Sequence, residues 1–217
     1  MADASAHGTE DEFAPTERGA AERLTFFSDA VVAIAITLLA IDLQVPQGDT
    51  AAELAAGFAA HRGEYLAFLI SFAVIARHWI THHRVFRYVA RATLPLTWLN
   101  MLWLLIIVLT PFFTRFIAED QVDFARFSVY ALAETVQIGT FAVILVVLAR
   151  TRSFVPGTPW RMVRYGWVPS AITGFAFLVS IPLFLVLDLW AFAVWAVVPF
   201  IGDRITNRLG ITGRDDV

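Results

Sequence analysis

Cysteine is absent from all 217 residues, so the chain has no disulfide frame, no thiol nucleophile and no thiolate metal site. Lysine is absent as well: every one of the 16 basic residues is arginine, which reflects composition bias more than chemistry. Charge is scarce. Charged residues make up 16% of the chain, where soluble domains carry about 25%. A net charge of -3 gives no reason to expect a nucleic-acid partner. There is no H-E-x-x-H pair, no Walker-type loop and no nucleophile elbow. The first 20 residues have neither a basic stretch nor a hydrophobic core, so they read as a disordered polar tail and not as a signal peptide.

What the chain has instead is apolar surface. Hydrophobic residues reach 58% and the mean hydropathy is +0.67, more than a soluble protein of this length can bury. A membrane span needs about 20 apolar residues. Six segments approach that length: about Phe26 to Val45, Tyr65 to Thr81, Leu94 to Phe116, Phe127 to Leu148, Gly166 to Leu187 and Leu189 to Ile205. The last two form one run too long for a single crossing, so a hairpin at Asp188 is expected. Irregular backbone cannot face lipid, which makes the expected fold an all-α integral membrane unit over residues 21–206. Residues 1–20 and 207–217 are expected as polar tails. Thr50-Ala-Ala-Glu53 reads as a capping box opening a short helix in the first outer loop.

Orientation follows from the arginines. With the N-terminus inside, Arg18, Arg23, Arg84, Arg87, Arg91, Arg150, Arg152, Arg161, Arg164, Arg204, Arg208 and Arg214 are cytoplasmic. Only Arg62, Arg115 and Arg126 fall outside, and Arg77 lies within a span. The positive-inside rule therefore puts both termini in the cytoplasm. Asp42, Asp49, Glu53, Glu64, Glu119, Asp120, Asp123 and Asp188 gather on the outer side, where they would concentrate cations near any pore mouth.

The first span carries the most informative pattern. Arg23-Leu-Thr-Phe-Phe27-Ser28-Asp29 runs straight into an apolar stretch closed by Val45-Pro46. A carboxylate at hydrocarbon depth costs roughly 2.5 to 3.5 kcal/mol on insertion scales, so Asp29 needs partners. On a helical wheel Ile34, Leu38 and Ile41 form one stripe with Thr37 at its edge, and Asp29 points roughly the opposite way. Such a stripe either packs against another helix or lipid, or encloses a pore of stacked aliphatic rings when symmetry-related copies meet. Hydrophobic constrictions of the second kind gate by dewetting.

The pattern R-x-x-x-F-S-D followed by A-V-x-A-I-A-x-T-L-L resembles the first helix of the transmembrane protein 175 family, which consists of potassium-permeable channels. Leu94-Pro-Leu-Thr-Trp98-Leu-Asn100 and Pro111-Phe112 are similar to later family segments, as is Trp79-x-x-His82-His83 with Phe86. The resemblance has motif specificity from residue 22 to about 115. It implies a homotetramer of six-helix subunits in the cell membrane, with a pore lined by the first helix and no T-V-G-Y-G carbonyl filter. Ile34, Leu38 and Ile41 match its constricting side chains and Thr37 its threonine layer. Asp42 is expected to add negative charge at the outer mouth, aided by the helix dipole. Arg23, Phe27, Ser28, Asp29, Trp79, His82, His83 and Asn100 are expected in a structural polar network. Potassium is the permeant ion and no cofactor is expected.

Three other readings compete. A secondary transporter would show paired broken helices; the matched pair is missing, although Pro169 and Pro182 lie in the fifth span. A proton-permeable channel could use Asp29 and the histidines as a relay. His78-x-x-x-His82-His83 has the spacing of a histidine box, but di-iron membrane enzymes gather about eight histidines and this chain has 5. Glu134 and Gln137, three residues apart, are expected to join helices by hydrogen bonds, as is Asn100.

Overall fold

The computed structural model describes residues 15–41, 43–118 and 122–208. They form α1 (Pro15–Leu38), α2 (Ala51–Ala60), α3 (Arg62–Phe86), α4 (Leu94–Ile117), α5 (Phe124–Arg150), α6 (Trp160–Tyr165), α7 (Trp167–Leu187) and α8 (Phe192–Arg208). A 3-10 turn, Asp188–Ala191, joins the last two. Helix is what apolar sequence requires where no water can satisfy the backbone. The ends are set by side chains. The Leu96 N–H donates to Thr93 Oγ1 and Pro95 occupies the first turn of α4, where no N–H is needed. The Arg126 N–H donates to Asp123 at the start of α5. The capping box of α2 is complete: Thr50 Oγ1 accepts the Glu53 N–H at 3.2 Å, and the Glu53 carboxylate accepts the Asp49 and Thr50 N–H groups. Those backbone donors, Asp49 first, hold the Glu53 carboxyl below its ordinary pKa.

The helices pack as two groups sharing α4 and α5. α1, α3 and α4 touch one another pairwise; α4 packs on α5, α5 on α7, and α7 on α8. One apolar core draws on α1, α3, α4 and α5, including Val32, Ala35, Ile75, Trp103 and Ile144. The second joins α5 to the C-terminal hairpin, with Trp195 stacked against Phe127, Tyr130 and Phe177. Trp195 also donates its Nε1–H to Ser180 Oγ at 2.8 Å. The loop after α3 pairs with the loop after α5, through Ala90 N–H to Ser153 O and Val155 N–H to Tyr88 O. That pairing gathers Arg84, Arg87, Arg91, Arg150, Arg152, Arg161 and Arg164 at one end of the bundle. The start of α1 lies there too, beside Arg91, Ala92 and Thr93.

Among the described residues, α3, α4, α5 and the run Trp160–Thr206 are long and apolar enough to cross a membrane. The described residues are thus those of an all-helical, multi-pass membrane protein. The 47-residue final run folds back at Asp188, whose φ of 52° breaks the helix, into antiparallel α7 and α8. Three boundaries differ from the sequence reading. Helix α1 begins at Pro15, so residues 15–20 of the expected tail are helical. Helix α3 runs on to Phe86, which keeps His82 and His83 within regular helix. Helix α1 ends at Leu38, and Ile41 sits in the following turn, where its N–H donates to Leu38 O. Pro46 disfavours helix in the residue before it, and Tyr65 draws the chain across to α3 by donating its hydroxyl to Gln44 O at 2.6 Å.

Candidate functional site

Two faces of α1 have different fates. Ala21, Leu24, Thr25, Ser28, Val32, Ala35 and Leu39 are buried, recurring at three- and four-residue steps against α3 and α4. The opposite face carries Arg23, Phe27, Ala30, Ile34, Thr37 and Leu38, all exposed, again at steps of three or four. Ile34 is 60% exposed, Leu38 39% and Ile41 75%. The turn after α1 completes about one revolution per three residues, so Ile41 stays over Leu38 on the same side. Thr37 donates its hydroxyl to Ile34 O at 2.8 Å, which leaves the oxygen's lone pairs facing outward with the stripe. Asp42 lies outside the described residues.

The buried face is held by a directional chain of hydrogen bonds. Asn100 Oδ1 on α4 has only lone pairs to offer, so His82 Nε2 on α3 is the donor, at 2.9 Å. Asn100 Nδ2 donates in turn to Ser28 Oγ at 2.8 Å, and Ser28 donates to Leu24 O on α1. Ser28, His82 and Asn100 are all fully buried. The His82 ring is clamped between Phe86 and Trp103, with centroids 3.8 and 4.5 Å away. Beside this chain, Trp79 Nε1–H donates to Asp29 Oδ1 at 2.9 Å, and His83 Nδ1 lies 3.3 Å from Asp29 Oδ2. The second contact lacks hydrogen-bond alignment, and both side chains are partly exposed. Ser28, Asp29, Trp79, His82, His83 and Asn100 are thus brought together. Arg23 and Phe27, grouped with them on sequence grounds, stand apart: α1 rotates both onto the outward stripe.

Further polar ties cross the bundle away from α1. Arg77 on α3 grips Asp203 on α8 with both guanidinium nitrogens, at 2.6 and 3.0 Å. His78 Nε2 meets Glu134 Oε2 on α5 at 2.8 Å, the carboxylate being almost wholly buried. The three imidazoles of the supposed histidine box therefore serve three different partners. Ser71, Thr114 and Tyr130 join α3, α4 and α5 through hydroxyls 2.8 and 3.0 Å apart. Gln137 is buried with neither amide atom bonded. The Arg77 and Ser71 ties were not read from the sequence; an arginine inside a span was the available signal for the first. Arg77, His78 and Asp203 border a cavity of about 340 Å³ lined mainly by α3, α5 and α7, with Trp103 of α4, Met162 of α6 and no residue of α1.

The family described as "Endosomal/lysosomal potassium channel TMEM175" matches residues 23–111. A potassium channel of Streptomyces collinus is 38% identical over 133 residues, 59% of this chain and 65% of that protein. A potassium channel of Chamaesiphon minutus is 37% identical over 137 residues, covering 62% and 65%. The match thus spans just under two thirds of these relatives. The crystal structure of a lysosomal potassium-selective channel TMEM175 homolog from Chamaesiphon minutus superposes with a TM-score of 0.73 at 28% identity, over 87% of this chain and 99% of that one.

If the Ser28–Asn100–His82 chain fixes α1, Asn100→Leu leaves a buried imidazole N–H unpaired, at a cost of about 1 to 3 kcal/mol. Heated detergent-solubilised protein should lose its main size-exclusion peak at a clearly lower temperature than wild type. An unchanged temperature would show that these bonds do not hold the helix.

Proposed function

We propose that the chain, which matches the TMEM175 family over residues 23–111, is a member of that family of ion channels and a potassium-permeable channel of the cell membrane. In this reading each subunit crosses the bilayer six times: α1, α3, α4, α5, α7 and α8. The arginine-rich end and both termini are cytoplasmic, in keeping with the positive-inside rule. Four copies meet through the outward face of α1 around a common axis, because a single chain offers one wall and not a conduit. Potassium is the cargo; neither a cofactor nor a soluble substrate enters.

The observation that carries this reading is the unpartnered apolar stripe of α1. Helix α1 is anchored by polar contacts on one side, yet presents Phe27, Ile34, Leu38 and Ile41 outward at coiled-coil spacing. Lipid would accept such a face, but four copies of it build a lined throat. Ile34, Leu38 and Ile41 then stack as apolar rings that exclude water unless the helices part. Thr37 adds hydroxyl oxygens at the level between Ile34 and Leu38, the only polar side chains there for a partly dehydrated cation. Asp42 is placed by the same reading at the outer mouth, where its charge would raise the local cation concentration.

Potassium flux from loaded liposomes tests the reading directly: the reconstituted protein should pass potassium without saturating like a carrier, and saturable, slow turnover would favour a transporter. Ile34→Asn should wet the constriction and raise leak severalfold; unchanged flux would remove Ile34 from the pore. Thr37→Val should lower the potassium-to-sodium permeability ratio, and a ratio equal to wild type would take Thr37 out of selection.

A further inference from the structure

Along the whole of α1 the charged residues are Glu17, Arg18, Glu22, Arg23 and Asp29. At about 100° per residue, Arg23 falls roughly 20° from Ile34, whereas each of the others lies about 100° or more away. Arg23 is exposed and has no hydrogen-bond or ion-pair partner among the described residues. It is also one α-helical stretch, about 16 Å along the axis, from Ile34 toward the arginine-rich end of the bundle. A guanidinium cannot lose its proton, so this charge is permanent.

We propose that Arg23 points into the conduit and forms a ring of four positive charges at its inner entrance, a determinant of conduction direction. This rests on the pore reading above. Anchoring of the Ser28 face fixes the rotation of α1, and the same rotation that turns Ile34 to the axis turns Arg23 there too. A cationic ring on a cation path repels potassium arriving from the cytoplasm and lowers its local concentration. Potassium arriving from outside meets no such ring before the constriction. The channel therefore conducts inward current more readily than outward current at low ionic strength. Screening sets the range: the Debye length is about 30 Å at 0.01 M and about 3 Å at 1 M, so concentrated salt abolishes the asymmetry.

The test is single-channel recording in excised inside-out patches with symmetric potassium, from about 0.02 M to 1 M. Wild type should show a smaller outward than inward conductance at the low end and equal conductances at the high end. Arg23→Gln should raise outward conductance roughly twofold or more at low salt and match wild type at 1 M. Arg23→Lys should behave as wild type, because it keeps the charge. An Arg23→Gln ratio equal to wild type at low salt, or a change that persists undiminished at 1 M, would overturn the proposal. If Arg23→Gln fails to assemble, the wild-type salt series decides alone: a conductance ratio that does not move with salt refutes the ring. Absence of any potassium current from wild type would instead refute the channel reading on which this stands.

Discussion

A polar side chain inside hydrocarbon must find its partners within the protein, and this constraint organises the bundle. Helix α1 carries Ser28 and Asp29 near the start of an otherwise apolar segment. Each must find partners that a neighbouring helix supplies. Asn100, His82 and Trp79 provide them, from α4 and α3. The contacts are modest one by one, since hydrogen bonds between membrane helices average about 0.6 kcal/mol. Their geometric consequence is larger. They fix which way α1 is turned, and a helix turned that way must present Ile34, Leu38 and Ile41 to whatever lies outside the subunit.

The same constraint explains the second half of the chain. Arg77 and Glu134 would each be costly alone at this depth, and each is paired with a group from another helix. These ties connect α3 to α8 and α5, helices that otherwise share little apolar contact with it. Beyond the Asp203 tie, the C-terminal hairpin relies on packing, with Trp195 filling the space between α5 and α7 and placing its one polar atom on Ser180. Polar pairing therefore sets helix rotation near α1, and aromatic packing sets helix position near α8.

Much of this was legible in the sequence because the signals were expensive residues in cheap surroundings. Asp29 within an apolar run, Asn100 in a span and histidines at the end of another each announced a partner, and the partners are each other. The break at Asp188 was legible because the apolar run around it is too long for one crossing. Other features left no such mark. Ser71, Thr114 and Tyr130 bond to one another, yet hydroxyl residues are common in apolar helices and carry no pairing code. The partner of Arg77 was hidden because Asp203 lies 126 residues away in another span, with no local pattern to link the two. Helix α1 starts earlier than expected because Glu17, Arg18, Ala20 and Ala21 suit a helix as well as a disordered tail. Arg23 was misassigned by motif proximity; only its rotation on the folded helix separates it from the network of Asp29.

The central claim is that identical copies meet through the Ile34 side of α1. The chain has no cysteine, so a single Ile34→Cys substitution in detergent-free membranes gives a clean oxidative cross-linking experiment, with Val32→Cys on the buried side as its counterpart. Spontaneous covalent dimers with Ile34→Cys and none with Val32→Cys are the predicted result. Dimers formed through position 32, or none through position 34 under conditions that cross-link an exposed control site, would contradict the account.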